Sequence, residues 1–249
     1  MKAIILAAGQ GKRMAPYTDT MPKCMIKYKN RPIIDYIINA MNECGINKKI
    51  VVTGYRQDVL RNYLKGCNIS FYTNKRFDST NMVSTLFCCE KEMNDDVIIS
   101  YSDIIYSKKI IERLLYDKSN ISVIVDKNWR KLWNQRMEKV LDDAETMKID
   151  NNDNIIELGK KTNSFQDIQG QYIGLIKFSK NIINDVRKFY HRLDQTSYYD
   201  GKNFDNMYMT SFLQQIIEKL MPIKAVFVSS NWMEFDKVSD LSVDVDIGK

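Results

Sequence analysis

The chain has 249 residues, 44% of them hydrophobic and 27% charged, which suits one α/β domain with a sizeable core and not a disordered segment. Its net charge of +6 is spread along the chain with no long basic block and no recognised nucleic-acid module, so small polyanions are the expected partners and nucleic acid is not. Five irregularly spaced cysteines (24, 44, 67, 88 and 89) argue against a disulfide framework or a zinc cluster, and the lone histidine, His191, leaves catalysis to carboxylates, lysines, arginines or a metal.

Residues 2–8, KAIILAA, form a continuous apolar run, the pattern of a strand buried on both faces of a parallel sheet. After a Gly-, Pro- and Thr-containing stretch from Gly9 to Pro22, Ile33, Ile34, Ile37, Ile38 and Met41 recur at three- and four-residue steps and predict a helix that Gly45 ends. Strand-like runs return at 49–54, 69–73 and 97–101, with helical patterns near 56–65 and 82–93 between them. That alternation predicts right-handed βαβ crossovers and a Rossmann-like α/β fold with a doubly wound, mostly parallel sheet. Beyond about residue 120 the rhythm changes: a strand at 123–125, a hairpin over 145–160 turning at Asn151–Asn154, and a strand from Tyr172 to Phe178. Helical patterns at 180–193 and 208–221 and strands at 224–229 and 232–236 follow. No Pro- or Gly-rich linker divides the chain, so residues 1–249 are expected as a single domain, 1–120 forming one half and 121–236 a second half with a mixed β lobe. The apolar start is too short for a secretory signal and Gly9 interrupts it, and no run approaches the roughly 18 apolar residues of a membrane span. The cytoplasm is the expected compartment, and a homodimer is left open.

The richest segment is Leu6-Ala7-Ala8-Gly9-Gln10-Gly11-Lys12-Arg13-Met14, continuing to Pro16, Thr18, Pro22 and Lys23. Small residues let the backbone approach a ligand, and successive N–H groups in such a turn form an anion-binding concavity. Lys12, Arg13 and Lys23 add positive charge. No Gly-Lys-Ser/Thr ends the turn and Met14 stands where a dinucleotide fingerprint has its third glycine, so neither of those motifs applies.

Val97 to Ser102 carries an apolar strand into Asp103, and ligands of doubly wound sheets bind beyond the carboxyl ends of strands. Asp236 ends a second strand-like run. Magnesium takes a few carboxylates together with phosphate oxygens, so both are candidates for holding Mg²⁺; capping or turn formation is the alternative for each. Asn81 and Ser84 stand three apart at a helix start and can face a ligand, with helix capping as the alternative for Asn81. Trp129 and Trp133 share a helical face beside Asp126 and Arg136, either as an ammonium site or as plain packing. Arg130, Lys131 and Arg136 point instead to an acceptor bearing a carboxylate.

The pattern LAAGxGxRMxPxTxxxPKxM over residues 6–25 closely resembles the signature of the sugar-phosphate and phosphocholine-type nucleotidyltransferases. SD at 102–103 resembles that family's metal motif, and WMEFDxxxDL at 232–241 its closing motif. The resemblance implies Leu6, Ala8 and Gly9 near base and ribose, Gly11 and Arg13 on the β- and γ-phosphates, and Lys23 on the α-phosphate. It also implies Mg²⁺ held jointly by Asp103 and Asp236, and attack by an acceptor phosphate on the α-phosphorus with pyrophosphate leaving. Ala7, Lys12 and Ser102 complete the expected nucleotide contacts. The Asn81–Leu86 segment is similar to the pyrimidine pocket of the phosphocholine branch, which favours CTP, with Thr85 as a departure. ELGKK at 157–161 and GQYIG at 170–174 resemble acceptor segments and nominate Lys160 and Tyr172, with a solvated lysine pair as the alternative at 160–161. VDKNWRKLWNQRM, DDAETMKI and FDNMYMTSFLQ extend the likeness to the cytidylyltransferases that load L-glutamine phosphate with CMP in capsular phosphoramidate synthesis. Asp205, Tyr208 and Thr210 fall in that region, or simply start and pack a helix. Competing expectations are a hexose-1-phosphate uridylyl- or thymidylyltransferase and a nucleotide-binding regulatory subunit without turnover. A glycosyltransferase fits less well, because SYSDII at 100–105 has no Asp-x-Asp pair.

Overall fold

The computed structural model describes residues 1–248. In chain order the strands are β1 (Lys2–Ala7), β2 (Lys27–Tyr28), β3 (Arg31–Pro32), β4 (Lys48–Thr53), β5 (Ile69–Thr73), β6 (Val97–Tyr101), β7 (Ile104–Tyr106) and β8 (Ile121–Asp126). They continue with β9 (Glu145–Ile149), β10 (Asn154–Lys161), β11 (Gln171–Phe178), β12 (Tyr198–Tyr199), β13 (Lys202–Asn203), β14 (Ile223–Val228) and β15 (Trp232–Glu234). The helices are α1 (Ile33–Glu43), α2 (Gln57–Tyr63), α3 (Met82–Phe87), α4 (Lys108–Tyr116), α5 (Trp129–Arg136), α6 (Ile183–Arg192) and α7 (Met209–Lys219).

Nine strands form one sheet in the order β5-β4-β1-β6-β11-β8-β14-β10-β9. The pairs β5/β4, β4/β1, β1/β6 and β8/β14 are parallel, and β6/β11, β11/β8, β14/β10 and β10/β9 are antiparallel; seven strands therefore run one way and two, β10 and β11, run against them. After residue 120, β8, β9, β10, β11 and β14 continue the same sheet, while β12 pairs with β13 and β15 with β7 apart from it. All six residues of β1 are buried, with Ala3, Ile5 and Ala7 in one apolar cluster and Ile4 and Leu6 in the other. This two-residue alternation between two covered faces is why the strand reads as unbroken hydrophobic sequence. The apolar stripes of α1, α4 and α5 cover the first face, and those of α3, α6 and α7 the second.

The chain steps from β1 outward to β4 and β5, then returns to β6 on the other side of β1. That reversal is a topological switch point, where a crevice opens beyond the strand ends. Several elements differ from the sequence pattern. The helix expected over 82–93 stops at Phe87; Cys88 and Cys89 make tight three-residue bonds to Thr85 and Leu86, and a short 3₁₀ turn follows at Glu90–Glu92. The last strand ends at Glu234 and pairs with β7 outside the large sheet. Helix α4, with Ile110, Ile111 and Leu114 buried, and strand β7 add to the expected elements. Among the described residues no helix is long and apolar enough to cross a membrane, and the five cysteines are free.

Candidate active site

The switch point places the turn after β1 beside the end of β6, with Leu6 opposite Tyr101 in the parallel register. Asp103 lies two residues beyond that end. Strand β15 then delivers two more carboxylates: Glu234 stands opposite Ile104, and the Phe235 N–H donates to the Asp103 carbonyl at 2.9 Å. Glu234 and Asp236 are two apart in an extended segment, so both side chains project to one side. Asp103, Glu234 and Asp236 each present a carboxylate oxygen within 4.8 Å of the others.

These carboxylates share a cavity of about 400 Å³ with the glycine-rich turn. Of the residues expected to contact nucleotide, Leu6, Ala7, Ala8, Gly9, Gly11, Lys12, Arg13, Lys23, Asn81 and Ser102 line it; Met82 and Thr85 of the 81–86 segment join them, and Cys24, Phe77, Thr80 and Tyr101 were not singled out for it. Ser84 does not line it, because its hydroxyl donates to the Asp205 carbonyl at 2.9 Å. Asn81 does both things the sequence allowed: its side chain accepts from the Met82 N–H at 2.8 Å, capping α3, and it borders the cavity.

Gly11 has no substitute here. Its φ is +61°, and a Cβ would lie 2.9 Å from Lys23 Cβ and 3.1 Å from Thr18 Cγ2. Gly9 is different, since an added Cβ would meet nothing within 4 Å. Gly11→Ala is therefore expected to cost about 1–3 kcal/mol of stability. Gly9→Ala should melt like wild type but bind nucleotide more weakly, because its methyl would intrude only on an occupant of the cavity. Thermal melts with and without nucleoside triphosphate separate the two; a large melting loss in the ligand-free Gly9 variant would contradict this account.

Lys23 Nζ lies 2.8 Å from Asp103 and 3.0 Å from Asp236, and Arg13 is 2.9 Å from Asp236. Burial pulls the Lys23 pKa down, but Asp103 and Asp236 outweigh it and hold the ammonium above its ordinary value. Burial likewise raises Asp236, but Lys23 and Arg13 bring its carboxyl below the usual range. Glu234 is pushed upward by burial and then by Asp236, against the pull of Arg136. Asp103 Oδ1 is buried with no hydrogen-bond partner. Convergent oxygen donors with one unspent buried lone-pair atom are what a hard divalent cation requires, so the residues present fit one.

A second cavity, of about 190 Å³, shares Asn81, Met82, Tyr101, Glu234 and Asp236 with the first. Tyr172, Tyr208 and Thr210, the residues considered for an acceptor, line it. Gly174, at φ +87°, is needed there because a Cβ would lie 2.6 Å from the Tyr101 ring. Other expected acceptor contacts are elsewhere. Asp126 is buried and accepts from Trp232 Nε1 at 2.8 Å and the Asn128 N–H at 2.8 Å. Trp129 packs edge-on against Trp133 in the core, and of the two only Trp133 borders the second cavity. Arg136 is fully buried against Glu234, Asp236 and Asp240 and is spent on them. Lys160 is exposed and pairs with Glu157 at 3.1 Å, the solvated alternative. Asp205 pairs with Arg76 at the surface. His191, half exposed, meets Glu90 at 3.0 Å, far in role from catalysis.

Glu234 and Glu145 are site residues that the sequence reading did not select. Glu234 was signalled by its two-residue offset from Asp236. Glu145, in the second cavity, has its carboxyl pushed up by burial to about 7 from an ordinary 4.5. A raised folded-state pKa favours the protonated form, so this stabilising contribution is complete below about pH 4.5 and is lost as pH rises through about 7. Glu145→Gln, which mimics the neutral acid, should raise the melting temperature over wild type at pH 8 and hardly change it at pH 5. Equal gains at both pH values would rule out this titration.

A model of the MobA-like NTP transferase domain matches residues 3–150. The chain is 49% identical over 253 residues to the CTP:phosphoglutamine cytidylyltransferase of Campylobacter jejuni, spanning 99% of this chain and 100% of that protein. It is 33% identical over 109 residues to the choline-phosphate cytidylyltransferase of Streptococcus pneumoniae, 43% of this chain and 46% of that one. The solved structure of the CTP:phosphocholine cytidylyltransferase of Streptococcus pneumoniae superposes with a TM-score of 0.71 at 18% identity, covering 97% of this chain and 96% of its own, a likeness of fold.

Proposed function

The chain belongs to the MobA-like NTP transferase family and is a nucleotidyltransferase, and from that premise we propose that it transfers CMP from CTP to a small phosphorylated acceptor of the L-glutamine phosphate or phosphocholine kind, releasing pyrophosphate. The observation that carries the reading is the meeting, in one cavity, of the glycine turn after β1 with Lys23, Arg13 and the carboxylates of Asp103 and Asp236. The turn offers backbone N–H groups and Gly11's close approach to a triphosphate, and Arg13 can grip its outer phosphates. Asp103 and Asp236, with Glu234 beside them, would hold Mg²⁺, which when bound neutralises phosphate charge. Lys23 sits between those carboxylates and the turn, where its ammonium can stabilise charge growing on the α-phosphoryl oxygens. An acceptor phosphate is already ionised at neutral pH, so attack on the α-phosphorus needs no general base. The site's work is alignment and charge neutralisation, which suits a cavity without histidine. Capsule or surface-polysaccharide modification is the proposed setting, with the cytoplasm, where CTP is held, as its place.

The deciding experiment is a matrix of nucleoside triphosphates and acceptors scored by pyrophosphate release in the presence of Mg²⁺. CTP with an amino-acid phosphate or phosphocholine should be the best combination. UTP or dTTP with a hexose 1-phosphate outperforming every CTP combination would overturn the reading, and nucleotide binding without any product would favour a regulatory role.

A further inference from the structure

The second cavity carries a charge pattern of one sign. Its charged lining residues are Asp143, Glu145, Glu234 and Asp236, with no lysine or arginine among them. Three of the four are occupied. Asp143 accepts from Trp133 Nε1 at 3.0 Å, Glu234 is held by Arg136, and Asp236 by Lys23, Arg13 and Arg136. The Glu145 carboxylate forms no hydrogen bond or ion pair among the described residues, although its backbone is fixed by two bonds with the Gln171 side chain at 3.2 and 2.6 Å. The Tyr172 hydroxyl, in the same wall, is buried without a partner. Tyr101 and Tyr172 stand edge to face at 5.7 Å beside them.

An unpaired, largely buried carboxylate is a standing cost to the folded protein unless something arrives to meet it. Resting on the cytidylyltransferase reading, we propose that this cavity seats an ammonium group of the acceptor, with Glu145 as its counter-ion, and that Glu145 selects a phosphorylated amine over a neutral sugar phosphate. The acceptor's phosphate must reach the α-phosphorus beside Lys23, and the shared wall of Asn81, Met82 and Tyr101 leads the rest of the molecule into the second cavity. An ammonium there meets Glu145 in a poorly solvated space, where a charge-assisted bond is strong, and aromatic faces add to it. A sugar brings no positive charge and leaves Glu145 only the attraction of Lys161, its opposite in the β9/β10 pair. The free Tyr172 hydroxyl can donate to an acceptor oxygen. Arg130, Lys131 and Arg136, expected beside the acceptor, do not meet a molecule seated there, because Arg136 is consumed by its own carboxylates and none of the three lines the cavity.

The test uses the full chain with Mg²⁺ and CTP, phosphocholine and phosphoglutamine as ammonium-bearing acceptors and glucose 1-phosphate as the neutral one. In Glu145→Gln, KM for the ammonium-bearing acceptors should rise about 10- to 100-fold while KM for CTP stays within about twofold of wild type. Preference over glucose 1-phosphate should shrink by the same factor. Glu145→Asp, which keeps the charge, should lose less than Glu145→Gln, and Asp143→Asn, whose carboxylate is already bonded, should lose least. Unchanged CTP affinity in each variant verifies folding. Acceptor KM and selectivity unchanged in Glu145→Gln, or Glu145→Asp as damaged as Glu145→Gln, overturns the proposal while leaving the cytidylyltransferase reading intact. Wild-type preference for glucose 1-phosphate would instead overturn that reading, and this proposal with it.

Discussion

Asp103→Asn is expected to lower pyrophosphate release by about 10²- to 10³-fold or more at saturating substrates and Mg²⁺, with only a small change in melting temperature. Asp103 is one of three carboxylates that share the cavity with the turn, and its Oδ1 is buried with no partner among the described residues. Replacing it with an amide keeps the shape but removes the donor that a divalent cation would use. Lys23 keeps Asp236 at 3.0 Å, so the substitution does not strand a buried cation, and the fold should tolerate it. Steady-state pyrophosphate release and a thermal melt on the same preparation measure both halves. Turnover close to wild type with Mg²⁺ present would remove Asp103 from the proposed metal site.

Arg136→Met is expected to cost about 3–5 kcal/mol of stability and most of the activity. The guanidinium is fully buried and reaches Glu234 at 2.9 Å, Asp236 at 3.4 Å and Asp240 at 3.3 Å. Methionine fills a similar volume but removes the ion-pair partner of Glu234 and Asp240 in a low-dielectric pocket, while Asp236 keeps Lys23 and Arg13. Asp240, itself fully buried, also accepts the N–H groups of Asp236 at 2.6 Å and Lys237 at 3.0 Å, so it sets the turn that aims Asp236 into the cavity. Disturbing the pair should therefore disturb the proposed metal-binding carboxylate of Asp236 as well as the fold. Chemical denaturation midpoints give the stability change, and Arg136→Met combined with Asp240→Asn should recover part of it by removing one stranded charge. A single variant within about 1 kcal/mol of wild type would show that the acids find other compensation.

Much of the site was legible because its signals are local. The unbroken apolar run of β1, followed within seven residues by Gly9, Gly11 and Arg13, is one continuous strand-and-turn, and its chemistry needs no distant partner to be recognised. Asp103 could be read from its place after an apolar strand, since the parallel fold sends such strand ends to one edge. Asn81 resisted a single reading because capping α3 and bordering a cavity are compatible at one helix start.

The acceptor side was less legible, and the failures share a cause. Arg136, Asp126 and Ser84 are polar residues in helical or strand-end positions from which sequence alone permits either a ligand or a protein partner. Their actual partners lie about 100 residues away or more: Arg136 with Glu234, Asp126 with Trp232, Ser84 with Asp205. Periodicity says which side chains share a face of an element, and from that the sequence by itself determined the sheet, while the family of chemistry was legible only because the glycine turn and the two aspartate motifs resemble those of a known family. Which charge stands across from that face depends on how remote segments pack, so only the tertiary structure decided that Arg136 braces the carboxylates and that Glu145 is left unpaired beside them.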